Sequence, residues 1–132
     1  MLRYMLDSDI CIFVLRNRPA EVRHKFRQFG DELCISTITV GELFYGVERS
    51  SRRAENRRVV EEFIGNLRVL PFTIRGAAHF AQLRAELTRA GMACGPYDML
   101  IAGHARSEDL TVVTNNVREF ARIPGLQVEN WI

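Results

Sequence analysis

The sequence predicts an α/β fold: a three-layer α/β/α sandwich with a mostly parallel central sheet of about five strands. Two observations carry this reading. Short apolar runs alternate with segments of helical periodicity along the whole chain, which implies parallel pairing through right-handed crossovers. Two of those runs, Leu2–Leu6 and Leu110–Thr114, are nearly all apolar, as expected of strands covered by helices on both faces.

The elements follow in order. Leu2–Leu6 reads as an opening strand ending at Asp7, and Ser8–Leu15 and Ala20–Phe29 read as helices. Leu33–Ser36 is a second strand, with a helix over Thr37–Glu48 after it. Ala54–Leu67 places Val59, Val60, Phe63, Ile64 and Leu67 at helical spacing. A third strand is expected at Val69–Phe72, then a long amphipathic helix over Ile74–Ala90. The stretch from Gly95 to Ala105, GPYDMLIAGHA, reads as a buried helix with Pro96 in its first turn. A fourth strand (LTVVT), a short helix at Val117–Ala121 and a last strand at Leu126–Val128 close the chain. The 132 residues fit a single domain, 1–132, able to bury a real core.

Composition narrows the class. Hydrophobic residues make up 47% and charged residues 26%, an ordinary globular balance, and the net charge of +2 does not by itself mark a nucleic-acid binder. The basic residues are almost all arginine, with Lys25 the single lysine. Cys11, Cys34 and Cys94 are far apart in apolar contexts, so free thiols and a reducing compartment are expected. The opening MLRYMLDSD carries no signal-peptide pattern and no apolar run is long enough to span a bilayer, so a cytoplasmic protein with no membrane partner is expected.

In open α/β sheets ligands bind at the carboxyl ends of the strands, near the point where strand order reverses. That rule selects acids. Asp7 and Asp9 follow the first strand, Glu42 lies early in the helix after the second, Asp98 is in the first turn of its helix, and Asn116 and Glu119 follow LTVVT. Each has a plainer explanation: Asp7, Asp9 and Asp98 as helix-cap or first-turn acids, Thr39–Glu42 as a capping box, Glu119 as a surface residue. Together they exceed what caps need. Carboxylates gathered at one edge repel, and a divalent cation relieves this; an oxygen-only donor set favours Mg²⁺ or Mn²⁺ over zinc. His24, His79 and His104 have no metal or catalytic spacing, and neither a nucleophile elbow around Ser8 nor a Gly-rich phosphate loop is present.

The landmarks MLDSDICIF, ISTITVGELFYGVERS, RAEL, GPYDMLIAGHAR and TVVTNNVREF, with a terminal Trp131, resemble the VapC-type toxins, PIN-domain ribonucleases of bacterial toxin–antitoxin pairs. The resemblance spans essentially the whole chain. It implies a PIN-like fold and a Mg²⁺-dependent endoribonuclease, with Mn²⁺ able to substitute. The family's first three acids fall on Asp7, Glu42 and Asp98. At the fourth position Thr114 matches the hydroxyl, Glu119 supplies the acid and Asn116 assists through its amide oxygen. Ser8 and Asp9 support the site, and Asp9 departs from the asparagine of close relatives. Asp7 and Asp98 would hold the main metal, with Glu42 binding a second ion or orienting the attacking water. In-line attack by water would leave 5′-phosphate and 3′-hydroxyl ends.

The resemblance further implies a structured RNA substrate, often a transfer RNA and here the initiator transfer RNA. It implies a VapB-type antitoxin whose tail lies near Phe13, Leu15, Phe44 and Tyr45 and presents an arginine to the acids, a toxin homodimer, and a larger toxin–antitoxin assembly. Arg16, Arg18, Arg49, Arg52 and Arg53 are candidates for RNA backbone contacts. Two other readings stand beside this one. Asp7-Ser8-Asp9 also opens haloacid-dehalogenase-type phosphatases, which need a later lysine that Lys25 is too early to supply. A non-catalytic RNA- or protein-binding PIN-like module is the other.

Overall fold

The computed structural model describes residues 1–16 and 20–131. Strand β1 (Tyr4–Leu6) runs into α1 (Ser8–Leu15), and α2 (Ala20–Gln28) with a 3-10 turn at Gly30–Glu32 returns the chain to β2 (Leu33–Ser36). Then come α3 (Thr37–Glu48), α4 (Arg53–Gly65), β3 (Arg68–Leu70), α5 (Ile74–Arg89), α6 (Pro96–Ser107), β4 (Thr111–Val113), α7 (Val117–Phe120) and β5 (Val128–Glu129). The sheet order is β3-β2-β1-β4-β5 and each pairing is parallel. The chain winds one way from β1 through β2 to β3, and the other way from β4 to β5. The strand order therefore reverses between β1 and β4.

The three layers follow from strand alternation. Successive side chains of a strand face opposite sides of the sheet. Tyr4, Leu6, Leu33, Ile35 and Val113 enter one core, where Ile10 and Cys11 of α1, Val22 of α2, Leu43 and Val47 of α3 and Val60 of α4 meet them. The intervening Met5, Cys34 and Val112 enter the other, against Leu83 and Leu87 of α5, four apolar residues of α6, and Phe120. Burial on both faces is why these strands lack the polar alternation of a half-exposed sheet. Trp131 closes the first core by stacking on Phe29 and meeting Tyr4 edge-on. The cysteines are free thiols, Cys11 and Cys34 buried and Cys94 half-buried.

Helices α5 and α6 approach so closely that only glycine fits at position 103. A Cβ there would lie 2.7 Å from the Phe80 backbone nitrogen. That explains the small residues of IAGHA.

Four strands differ from the sequence expectation: β1 and β4 are only shorter, spanning Tyr4–Leu6 and Thr111–Val113, while the third and the last are displaced. The third ends at Leu70 rather than Phe72. Pro71 has no N–H for the ladder, and the Phe72 N–H is taken by Thr37 Oγ1 at 3.2 Å. The last strand starts at Val128, not Leu126. Gly125 adopts φ +74° and the Leu126 N–H turns back to the Ile123 carbonyl, so that residue closes a turn instead. Among the described residues no helix is long and apolar enough to cross a membrane.

Candidate active site

The reversal between β1 and β4 places Asp7 and Thr114 side by side at the carboxyl ends of the two central strands. Asp7 is 2% exposed. It caps α1, its Oδ1 accepting the Ser8 N–H at 2.8 Å, and its Oδ2 accepts the Thr114 hydroxyl at 2.8 Å. The capping role weighed for it is therefore real, and each of its oxygens accepts a hydrogen bond, Oδ1 from α1 and Oδ2 from the end of β4. The Ser8 hydroxyl reaches Glu42 Oε1 at 3.2 Å and so stands between two carboxylates. The Thr39–Glu42 capping box does not form. Ser36 caps α3 instead, accepting the Ile38 N–H, while Thr39 Oγ1 is buried without a partner. Glu42 is thereby left for the acid edge.

Asp98 reaches the same edge from the first turn of α6, where Pro96 starts the helix. Opposite it, Glu119 Oε1 accepts the Gly95 N–H at 2.5 Å and Oε2 accepts the Asn116 amide at 2.8 Å. The Asn116 N–H in turn donates to Thr114 Oγ1 at 2.9 Å. Gly95 is the contact that sequence reading missed. A Cβ on it would stand 3.4 Å from Glu119 Oε1 and 3.5 Å from Asp98 Oδ2, filling the space beside those oxygens. The signal available in the sequence was a glycine immediately before the helix-opening proline.

The structure thus brings Asp7, Ser8, Glu42, Asp98, Thr114, Asn116 and Glu119 to one edge. Asp9 is exposed in the first turn of α1, near enough for its charge to act on Asp7, Glu42 and Asp98.

The carboxyls are not equivalent. Burial pushes Asp7 up to about 6, with the Thr114 hydrogen bond opposing and the Asp9 charge adding. Asp98 rises further, to about 7, through burial and then the charges of Asp7, Glu119 and Glu42. Glu42 is raised by burial too, against the Ser8 hydrogen bond. Glu119 is lowered, chiefly by the Gly95 N–H and then by the Asn116 amide. Among the described residues no three of the acids, histidines and cysteines close into a ready-made metal cage. The fit to a hard divalent cation lies in the donor set: carboxylate oxygens with raised pKa values and no imidazole, while the Cys94 thiol beside Glu119, pushed up to about 12 by burial and by that carboxylate, stays protonated and is a poor ligand.

A cleft of about 1220 Å³ runs from this edge between α1, α3 and α4. Ser8, Asp9 and Glu42 line it together with Leu15, Tyr45 and Val59, so acid edge and apolar helix face are continuous. Of the residues expected to receive a partner, Leu15 and Tyr45 line the cleft, and Phe13 and Phe44 are half-buried against the core. Arg16 and Arg49 also line it; Arg52 pairs with Glu55 at 3.5 Å, and Arg53 is exposed at the start of α4. Arg18 lies outside the described residues. Lys25 Nζ sits over the Phe29 ring, leaving no lysine for a phosphatase reading of Asp7.

Acids converging at the switch point of a five-stranded parallel sheet define a PIN-like domain. Residues 4–126 match the PIN domain family. Over 131 residues the chain is 50% identical to the tRNA(fMet)-specific endonuclease VapC of Salmonella typhimurium, covering 99% of each. Over 132 residues it is 46% identical to Ribonuclease VapC2 of Haemophilus influenzae, covering all of both. Its backbone is similar to that of DNA-bound VapBC from Salmonella typhimurium, with TM-score 0.97, 50% identity and full coverage of both chains. It is also similar to VapBC2 from Rickettsia felis bound to a promoter DNA fragment, with TM-score 0.94 and 34% identity over 99% of this chain and 100% of that one. The chain therefore belongs to the PIN domain family, among its VapC ribonucleases. Nucleases of this kind are generally dependent on a divalent metal.

Proposed function

We propose that this chain is a Mg²⁺-dependent endoribonuclease toxin that cuts initiator transfer RNA, with Mn²⁺ able to substitute, and that a VapB-type antitoxin silences it. The observation carrying this reading is the group Asp7, Glu42 and Asp98, gathered at one edge and pushed up in pKa by burial and by one another's charge. The transfer RNA preference is supported by two relatives named tRNA(fMet)-specific endonucleases, 50% and 48% identical over 99% of the chain.

Asp7 and Asp98 would hold the cation, with Glu42 beside them. A bound divalent ion there supplies a lowered pKa for attacking water and charge neutralisation at the scissile phosphate. Thr114 keeps Asp7 turned to the edge, and Ser8 keeps Glu42 within reach of it. Glu119, held ionised by Gly95 and Asn116, accepts hydrogen bonds from water or from ribose on the far side. Arg16 and Arg49 offset the repulsion between acids and RNA along the cleft. The Leu15–Tyr45–Val59 face would receive the antitoxin tail. Dimerisation, a larger antitoxin-bound assembly and residence in the cytoplasm complete the reading.

The test is cleavage of initiator and elongator transfer RNAs by the purified chain with Mg²⁺, with chelator, and by Asp98→Asn. Mg²⁺-dependent cuts in the initiator RNA leaving 5′-phosphate ends, absent in the variant, are expected. Cleavage that survives chelator would remove the metal from the reading. No cleavage of any RNA by the folded wild-type chain would remove the nuclease.

A further inference from the structure

A polar pair is buried behind the acid edge. His104 on α6 is fully buried, and its Nδ1 lies 2.8 Å from Ser36 Oγ. Ser36 is also fully buried, and the same oxygen caps α3 by accepting the Ile38 N–H at 3.0 Å. One hydroxyl therefore ends α3 and joins it to α6, whichever tautomer the ring adopts. The Phe72 ring packs edge-on against the imidazole at 5.5 Å. Burial pushes the imidazole down from its ordinary value, which keeps it neutral at physiological pH. His104 Nε2 has no hydrogen-bond partner. A buried nitrogen left so carries a desolvation cost that an apolar ring of similar size would avoid. The feature of this histidine that an apolar ring cannot reproduce is the bond from Nδ1.

We infer that His104 is a positioning residue: through Ser36 it pins α6 to the first turn of α3, and so sets the spacing between Asp98 and Glu42. This rests on the nuclease reading above. Glu42 lies six residues after Ser36, and Asp98 six residues before His104. At 1.5 Å of rise per residue each acid stands about 9 Å along its helix from the pin. A slip at the pin changes how the two carboxylates face one another and leaves each on its own intact helix. Carboxylates spaced wrongly share a cation poorly, and groups behind the metal ligands commonly act in this way.

The experiment compares His104→Phe, His104→Asn and Ser36→Ala in the full chain, after circular dichroism has established folding. His104→Phe is expected to keep its KM for RNA and to lose about 10–100-fold in kcat, with a comparable loss of Mn²⁺ affinity by calorimetry. His104→Asn places an amide where Nδ1 stood and recovers most of both. Adding Ser36→Ala to His104→Phe costs less than it does in the wild type, because the bond is already gone. Should His104→Phe fail to fold, His104→Asn and His104→Gln decide the matter: loss in Gln alone supports the pin, and equal kcat in the two overturns it. Mn²⁺ binding separates this inference from the reading beneath it. If the wild-type chain binds Mn²⁺ but cuts no RNA, the nuclease reading fails, while Mn²⁺ affinity that falls in His104→Phe and returns in His104→Asn still supports the pin. A folded His104→Phe with wild-type kcat and Mn²⁺ affinity overturns the inference.

Discussion

The two halves of the acid edge are built on opposite principles. On one side Glu119 is satisfied by its own neighbours: Gly95 and Asn116 donate to it, and its carboxyl is lowered. On the other, Asp7, Glu42 and Asp98 are held against burial and mutual repulsion, and all three carboxyls are raised. The first half is complete as folded. The second has negative charge that a proton balances at low pH and an added cation at high pH, so the two halves should respond differently to mutation, metal and pH.

The largest effect should come from the strained half. Asp98→Asn is expected to lower kcat on RNA by about 10³-fold or more, since it removes a carboxylate from the metal and the reaction together. The same change should stabilise the metal-free chain at pH 8 by about 1–2 kcal/mol, after discounting for solvent screening, because a repelled charge is gone. Chemical denaturation with chelator present measures the second effect. Loss of activity together with loss of stability would show that Asp98 is not held against its charge.

Glu119→Gln should cost less on both counts. Its hydrogen bonds survive in weaker form, so about a tenfold fall in kcat and less than about 1 kcal/mol of stability are expected. An effect equal to that of Asp98→Asn would erase the distinction between the halves.

The effect of pH separates them further. In the fold Asp98 sits at about 7 against an ordinary 3.8, so the folded chain holds its proton where the unfolded chain has released it. Stability contributed by the protonated form is present below about pH 4, declines as pH rises, and is gone above about 7. Asp7, at about 6, acts in the same direction over a narrower window. Glu119, being lowered, acts in the opposite direction and at more acid pH. Mg²⁺ should therefore raise the melting temperature by several degrees at pH 8 and little at pH 5. An equal shift at both would place the ion elsewhere.

The smallest expected effect is that of Gly95→Ala, whose Cβ would meet Glu119 Oε1 and Asp98 Oδ2 at 3.4 and 3.5 Å. A few-fold loss of metal affinity with no change in fold is predicted, read by the same Mn²⁺ titration.

The order of the elements, the starts of most helices and the acids' shared edge were legible because hydrophobic spacing and the strand-end rule are local or topological signals. α1, β2 and α3 fall where periodicity placed them. β5 did not, since Leu126 is apolar for the sake of a turn that packs on the core rather than for a ladder. Contacts between distant segments left no such mark. Gly95 serves Glu119 across 24 residues and Ser36 meets His104 across 68. Periodicity along one element cannot show which side chain of another will meet it. His104 in particular has no metal or catalytic spacing in the sequence, and only the packing of α6 on α3 gives it a partner.

The central claim is that the raised carboxylates together hold a divalent ion. Calorimetric titration of Mn²⁺ into the wild-type chain, Asp98→Asn and Glu119→Gln at pH 7.5 tests it most directly. Wild-type binding that falls about 100-fold in Asp98→Asn and tenfold or less in Glu119→Gln is predicted. Undiminished Mn²⁺ affinity in Asp98→Asn would contradict it.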